Sequence, residues 1–254
     1  MVKGLTVCSV VERDDGLLSL MIRSVCAFTN PLPNFIICDN TNGKNHDRIH
    51  KSNVANANIT IINNSPNLIG GSNRHGLGLN KIFPLVTTEY TAILDSDTAI
   101  LHKDWCNVGS GYCAKGAEKT QNVFHMCFFI FKTDVLMKHT AKAMDFRAGR
   151  DDKDRKNNKN YIINCDVGWQ LGQYIDRATV EKLKFIDCKS DNSLFKGMQC
   201  DKFLSETGIL LASHLGRGSS MKSKRNLVSK GFEHPTDQLI VWKKIINDRI
   251  IEKK

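Results

Sequence analysis

The sequence predicts an α/β protein with a mostly parallel central sheet, helices on its faces and a C-terminal helix. Short apolar runs rich in β-branched residues fall at 5–11, 35–38, 59–62 and 91–94. Segments able to form helices separate the first run from the second and the third from the fourth. Strands and helices alternating in this way build a largely parallel sheet covered by helices.

The first run, 5–11, reads as a buried strand. Asp14 and Asp15 can cap the helix that follows, whose Leu17, Met21, Val25 and Phe28 share one face. Asn30-Pro31-Leu32-Pro33 ends that helix, because proline disfavours helical geometry in the residue before it. The second strand ends at Asp39 and the third spans 59–62. Residues 70–78 read as a glycine-rich turn running into a helix that carries Asn80, Ile82 and Phe83. The fourth strand stops at Asp95. In open parallel sheets ligands gather beyond the carboxyl ends of the strands, where Asp39 and Asp95 both stand.

In the second half, 123–131 is an apolar strand candidate, and the charged, aperiodic stretch 147–160 reads as a loop. Residues 166–175 predict a helix with Val167, Leu171 and Tyr174 on one side. A short strand at 208–213 precedes a segment rich in Gly, Ser, Lys and Arg at 216–231. After Pro235, Thr236 can cap a final helix bearing Leu239, Trp242, Ile246 and Ile250. With no repeat or clear linker, the reading is a single domain over 1–254. It comprises a first half to residue 105, a second half over 106–234 and the helix 235–254.

The 254 residues are 41% hydrophobic and 24% charged, which excludes disordered and fibrous classes and suits one well-buried domain. A net charge of +10 points to an anionic partner without naming it. Nine cysteines occur without a C-x-x-C pair, which speaks against a zinc ribbon or a thioredoxin-like site. Cys8, Cys38 and Cys127 lie inside apolar runs and read as small core residues. No window approaches a membrane span and no leader with a cleavage site is evident, so the expected compartment is the cytoplasm.

Asp95-Ser96-Asp97 is the motif with the most chemistry in it. Mg²⁺ and Mn²⁺ favour oxygen ligands, commonly one or two carboxylates completed by phosphate oxygens and water. Two aspartates separated by one residue, where the chain turns after an apolar strand, can aim both carboxylates into one pocket. A bare D-x-D triplet is weak, being most often a surface turn or a helix cap. Here it directly follows the apolar strand 91–94.

The segment 75–105, HGLGLNKIFPLVTTEYTAILDSDTAILHKDW, resembles the core of family-2-like glycosyltransferases of the GT-A fold. Asn80, Glu89, Tyr90, Leu94, Asp95 and Asp97 match that pattern in order and spacing, as do the first strand and Asp39. The resemblance covers about the first 105 residues. It implies a Rossmann-like GT-A sheet, a nucleotide-diphosphate sugar donor, a glycan or glycoconjugate acceptor, and Mn²⁺ or Mg²⁺ as cofactor. It further implies that Asp39 binds the nucleobase, that Asp97 contacts the metal, and that Asp95 lies nearer the ribose or a metal-bound water. Val11, Glu12, Arg74, Asn80 and Ser96 complete the expected donor site. Glu12-Arg13 departs from the small or aromatic residue common after the first strand, which leaves the base preference open.

An inverting transfer needs a base beside the acceptor hydroxyl. Asp166 is the candidate, with a helix N-cap as its alternative role, Trp169 a candidate stacking platform, and Asp151 and Asp152 the other bases available. His214 follows the strand at 208–213 and is the expected third metal ligand. Arg217, Lys222 and Lys224, with Arg225, are expected to fold over the diphosphate as a lid; a solvated loop is the alternative. The 70–76 glycines lack the following Lys-Ser/Thr of a phosphate loop, which rejects a Walker ATPase.

Two other classes compete. A sugar-phosphate nucleotidyltransferase would carry a basic glycine-rich loop after the first strand, where this chain has the acidic Glu12-Arg13-Asp14-Asp15. A basic nucleic-acid-binding protein would show interleaved aromatic and basic residues or a recognition helix, and neither is evident, so no specific nucleic-acid partner is expected. Trp242 with Lys243, Lys244 and Arg249 leaves two roles for the last helix, covering the core or resting on an acidic membrane.

Overall fold

A computed structural model describes residues 4–12, 16–41, 43, 57–65, 71–120, 123–137, 167–168, 170–187, 200–215 and 235–253. The expected loop at 147–160 and the basic segment at 216–231 lie outside the described residues, as do Asp14 and Asp15.

The first half follows the expected order: β1 (Leu5–Val11), α1 (Leu17–Phe28), β2 (Asn34–Asp39), β3 (Asn58–Asn63), α2 (Gly71–Ile82) and β4 (Tyr90–Leu94). β1 pairs in parallel with β2 and β4, and β2 pairs in parallel with β3. Strand β5 (Thr98–Ile100) leaves this sheet, while β6 (Ala114–Thr120) and β7 (Val123–Lys132) return to it, β7 running antiparallel to both β4 and β6. Two single helical turns follow, α3 (Thr133–Met137) and α4 (Leu171–Tyr174), and then β8 (Val180–Lys182), which pairs in parallel with β6. The seven-stranded sheet has the order β3-β2-β1-β4-β7-β6-β8, mostly parallel as expected.

Period-2 alternation divides the apolar side chains between two cores. Val7, Val11, Phe35, Ile37, Ala92 and Leu94 face α1, while Cys8, Val10, Ile36, Cys38 and Ile93 face α2. Cys8, Cys38 and Cys127 are all buried. Burial pushes the Cys38 thiol up to about 11 and Cys8 higher still, which keeps both protonated in their core role.

A second, smaller sheet went unforeseen except for one strand. It orders β5-β11-β10-β9, from β9 (Lys184–Asp187), β10 (Asp201–Leu204) and β11 (Leu210–His214). Its Ile100, Phe203, Leu211 and Ala212 enter the α1-side core. The helix α5 (Pro235–Lys253) packs Trp242, Ile246 and Ile250 against Leu17 and Leu20 of α1 and against Ala99 and Leu215. Trp242 donates its indole N–H to Ser213 Oγ at 3.1 Å and is 1% exposed, so it serves the core and not a membrane face. Lys244 pairs with Asp248 at 2.8 Å and Arg249 with Glu252 at 3.5 Å along the same helix. None of the described helices is long and apolar enough to cross a membrane.

Four expectations are corrected. Residues 71–78 are helix and not turn, because their glycines permit close packing: a Cβ on Gly78 would lie 2.7 Å from both γ carbons of Val10. The helix expected over 166–175 shrinks to α4, because Gly168 takes a φ of 71° beside Met126. The N-cap of α1 is Gly16, with no side-chain hydrogen bond. The last helix begins at Pro235, so Thr236 lies inside it, a shift of the size usual for helix boundaries.

Trp242→Ala is expected to destabilise the protein by about 3–5 kcal/mol, read from denaturant unfolding. Gly78→Val, which forces α2 off β1, is expected to lose about 1–3 kcal/mol in the same measurement.

Candidate metal centre

Because β1, β2 and β4 are parallel, Val11, Asp39 and Asp95 emerge at one edge of the sheet. Beyond β4 the chain turns at once. Thr98 N–H donates to the Asp95 carbonyl at 3.0 Å, closing a four-residue turn with Ser96 at its tip. The turn is fixed by three hydrogen bonds to two neighbouring segments. Asp95 N–H donates to the Cys127 carbonyl (3.2 Å), Thr98 Oγ1 donates to the same carbonyl (2.9 Å), and Leu215 N–H donates to the Asp97 carbonyl (3.0 Å). Ser24 of α1 accepts from Ile100 N–H at 2.9 Å, holding the strand that follows.

This framework brings Asp95, Asp97 and His214 together, with one ligand atom from each lying within 4.8 Å of the others. His214, the last residue of β11, places Nε2 3.2 Å from Asp97 Oδ1 and 3.4 Å from Asp95 Oδ2. Adjacent ligands of a six-coordinate ion at about 2.1 Å lie about 3 Å apart, so these separations are close to the edges of such a shell. The donor set also fits the chemistry: two carboxylates suit Mg²⁺ or Mn²⁺, and one neutral imidazole extends the range to Mn²⁺ and softer ions. The residues expected from sequence to hold a metal are those the fold gathers.

Burial opposes a charge on His214, and the carboxylates of Asp97, Asp201 and Asp95 favour it. The imidazole is held well above its ordinary value. Burial keeps Cys127 itself a thiol, so the carboxylates carry the countercharge near neutral pH. A proton on His214 and a divalent ion therefore answer the same electrostatic demand.

The other expected residues spread outward from this cluster. Arg74, in the first turns of α2, pairs with Glu12 through two hydrogen bonds of 2.7 and 3.1 Å, and its carbonyl accepts from Asn40 at 3.1 Å. Val11 is fully buried, and its carbonyl accepts from Asn40 N–H at 2.9 Å. Asp39 is fully buried, and its Oδ1 accepts from Thr41 N–H (2.8 Å) and Thr41 Oγ1 (2.5 Å). Asn80 lies five residues beyond His75 along α2, about 7–8 Å of helix rise, and is outside the ligating cluster. Asp151, Asp152, Asp166, Trp169, Arg217, Lys222, Lys224 and Arg225 lie outside the described residues.

Two residues at the centre went unread in the sequence. His75 Nε2, buried and without a hydrogen-bond partner among the described residues, stands 3.6 Å from Asp95 Oδ1. Asp201 Oδ2 stands 3.2 Å from His214 Nδ1. His75 adjoins Arg74 in the glycine-rich stretch, which was a signal of sorts. Asp201 had none, since only the pairing of β10 with β11 brings it to His214.

No family model matches the chain, and no curated protein matches its sequence. Among solved structures, a mannosyltransferase from Pyrobaculum calidifontis with GDP-Man and Mn²⁺ is similar at 13% identity and a TM-score of 0.45, over 55% of this chain and 47% of that one. TarS of S. aureus with UDP-GlcNAc is similar at 12% identity and a TM-score of 0.40, over 54% and 47%. Glucosyl-3-phosphoglycerate synthase of Mycobacterium tuberculosis, with Mn²⁺, UDP and glucosyl-3-phosphoglycerate, is similar at 11% identity and a TM-score of 0.39, over 53% and 58%. The chain thus spans about half the length of the solved structures it matches.

If the cluster holds a cation, millimolar Mn²⁺ or Mg²⁺ raises the melting temperature of the wild-type protein and a chelator reverses the shift. Asp97→Ala removes the effect in the same thermal scan.

The Asp-x-Asp turn thus stands beyond β4, at the carboxyl edge of a mixed α/β sheet.

Proposed function

We propose that this chain is a metal-dependent glycosyltransferase, moving a sugar from a nucleotide-diphosphate sugar to a hydroxyl of a glycan or glycoconjugate. The observation that carries the reading is the convergence of Asp95, Asp97 and His214 at the carboxyl edge of a parallel sheet, with cation-shell spacing. Mn²⁺ or Mg²⁺ would be held there. When bound, such an ion supplies positive charge against the departing diphosphate.

The residues divide the remaining work. Val11, Glu12 and Asp39, at the ends of β1 and β2, face the nucleoside. Ser96 and Asp95 lie between nucleoside and diphosphate, and Asn80 supports the donor from α2. Arg74 is held by Glu12 near the same edge and supplies a guanidinium to the donor. Arg217, Lys222 and Lys224 follow His214 closely in the chain, so their tether lets them close over the phosphates. Asp166 takes the proton of the acceptor hydroxyl, as an inverting transfer requires. The domain divides into a donor half to residue 105, an acceptor half over 106–234 and the closing helix.

The test is release of nucleoside diphosphate from a panel of nucleotide sugars with Mn²⁺ or Mg²⁺. Asp97→Ala is expected to reduce turnover at least about 100-fold, the scale on which one electrostatic contact to the leaving charge acts. Asp166→Asn is expected to lose transfer while retaining donor binding. Failure of every donor to bind or hydrolyse with metal present would sink the reading. Pyrophosphate release from a nucleoside triphosphate and a sugar phosphate would replace it with nucleotidyl transfer.

A further inference from the structure

We propose that Asp201 is a positioning residue that orients the His214 imidazole toward a cation held by Asp95 and Asp97. The inference rests on the metal-binding reading of that cluster and assigns to it a residue lying outside the three ligands.

The argument starts from the strand register. Asp201 and His214 are direct partners across the antiparallel pair β10–β11, so their side chains leave the same face of the small sheet. The next positions inward on that face, Phe203 and Ala212, are fully buried in the core. A carboxylate at the end of an apolar face adds nothing to that packing and carries a desolvation cost unless a partner satisfies it. Its partner is the imidazole, with Asp201 Oδ2 3.2 Å from His214 Nδ1.

An ionised carboxylate accepts hydrogen bonds and donates none, so Nδ1 carries the proton in this contact. The other ring nitrogen, Nε2, is thereby turned toward Asp97 Oδ1 at 3.2 Å and Asp95 Oδ2 at 3.4 Å. A neutral ring with its proton on Nδ1 presents the Nε2 lone pair to the point between those carboxylates. The chain carboxylate, imidazole, cation is how many metal sites fix ring orientation and raise ligand basicity. The opposite tautomer would place an N–H where the cation belongs.

The contact also explains why a single histidine at a strand end is a competent ligand. Its backbone is fixed by β5 on one side and β10 on the other. Rotation about the side chain is limited by Asp201, so the ring enters the site already oriented.

The experiment measures Mn²⁺ binding to the donor-free full-length protein by electron paramagnetic resonance, for wild type, Asp201→Asn, Asp201→Ala and Asp97→Ala. The His214 tautomer is read in parallel from ¹⁵N spectra of the metal-free protein at a pH that leaves the ring neutral, because a cation on Nε2 would fix the proton on Nδ1 whatever stands at position 201. Asp201→Asn is expected to weaken Mn²⁺ about 10–100-fold, with Asp201→Ala weaker still, as outer partners of metal ligands generally do. The ¹⁵N pattern should move away from the Nδ1-protonated form in Asp201→Ala, which removes the acceptor, a signature that loss of fold stability alone does not produce. Circular dichroism separates misfolding from either result, and the near-isosteric Asn keeps the test available if Ala fails to fold. Wild-type Mn²⁺ affinity in Asp201→Asn would overturn the proposal while leaving the metal site intact. Absence of Mn²⁺ binding in the wild type would overturn the metal reading and this inference together.

Discussion

Two carboxylates, Asp95 and Asp97, are held near one another by backbone bonds that leave them little room to separate. Their mutual repulsion in a partly buried turn must be answered by positive charge, and the site is arranged around that demand. His214 is the answer visible in the chain itself, its imidazole pulled toward the charged form by the surrounding carboxylates. A divalent ion answers it more fully, because it brings two charges and accepts ligands from all three residues at once.

The architecture can be understood as the means of keeping this arrangement from relaxing. The turn after β4 is tied to β7 through Cys127 and to the end of β11 through the next residue, Leu215. The small sheet delivers His214 from the opposite end of the sequence. Behind it, Trp242 of α5 bonds Ser213, the residue before His214, and buries its ring against α1. The last helix is therefore a brace for the strand that carries His214. Its distance from the chemistry in sequence hides its proximity in effect.

A similar economy operates on the other side. Gly78 lets α2 approach β1 closely enough to bring Arg74 beside Glu12 and His75 beside Asp95. A bulkier residue would open that seam. The glycines of 71–78 look like a flexible turn in isolation, and the helix they form is explained by the close packing they allow.

Local pattern determined most of the first half of this protein, with the helix over 71–78 and β5 as the exceptions. Continuous apolar runs can be satisfied only by burial, so β1, β2 and β4 were legible, and with them the exit of Asp39 and Asp95 at one edge. The D-x-D turn and His214 were legible for the same reason, since a polar residue ending an apolar strand stands out in sequence. Tertiary structure alone decided the rest. Strands β5, β8, β9 and β10 are too short to show a period, and they exist because neighbouring strands complete their hydrogen bonds. Gly168 breaks a helix that spacing suggested: its φ is positive, and a Cβ there would collide with Met126. Asp201 and His75 became visible at the site only once strand pairing and helix docking had placed them, because proximity across 13 residues for one and 20 for the other is a property of the folded chain and not of its order.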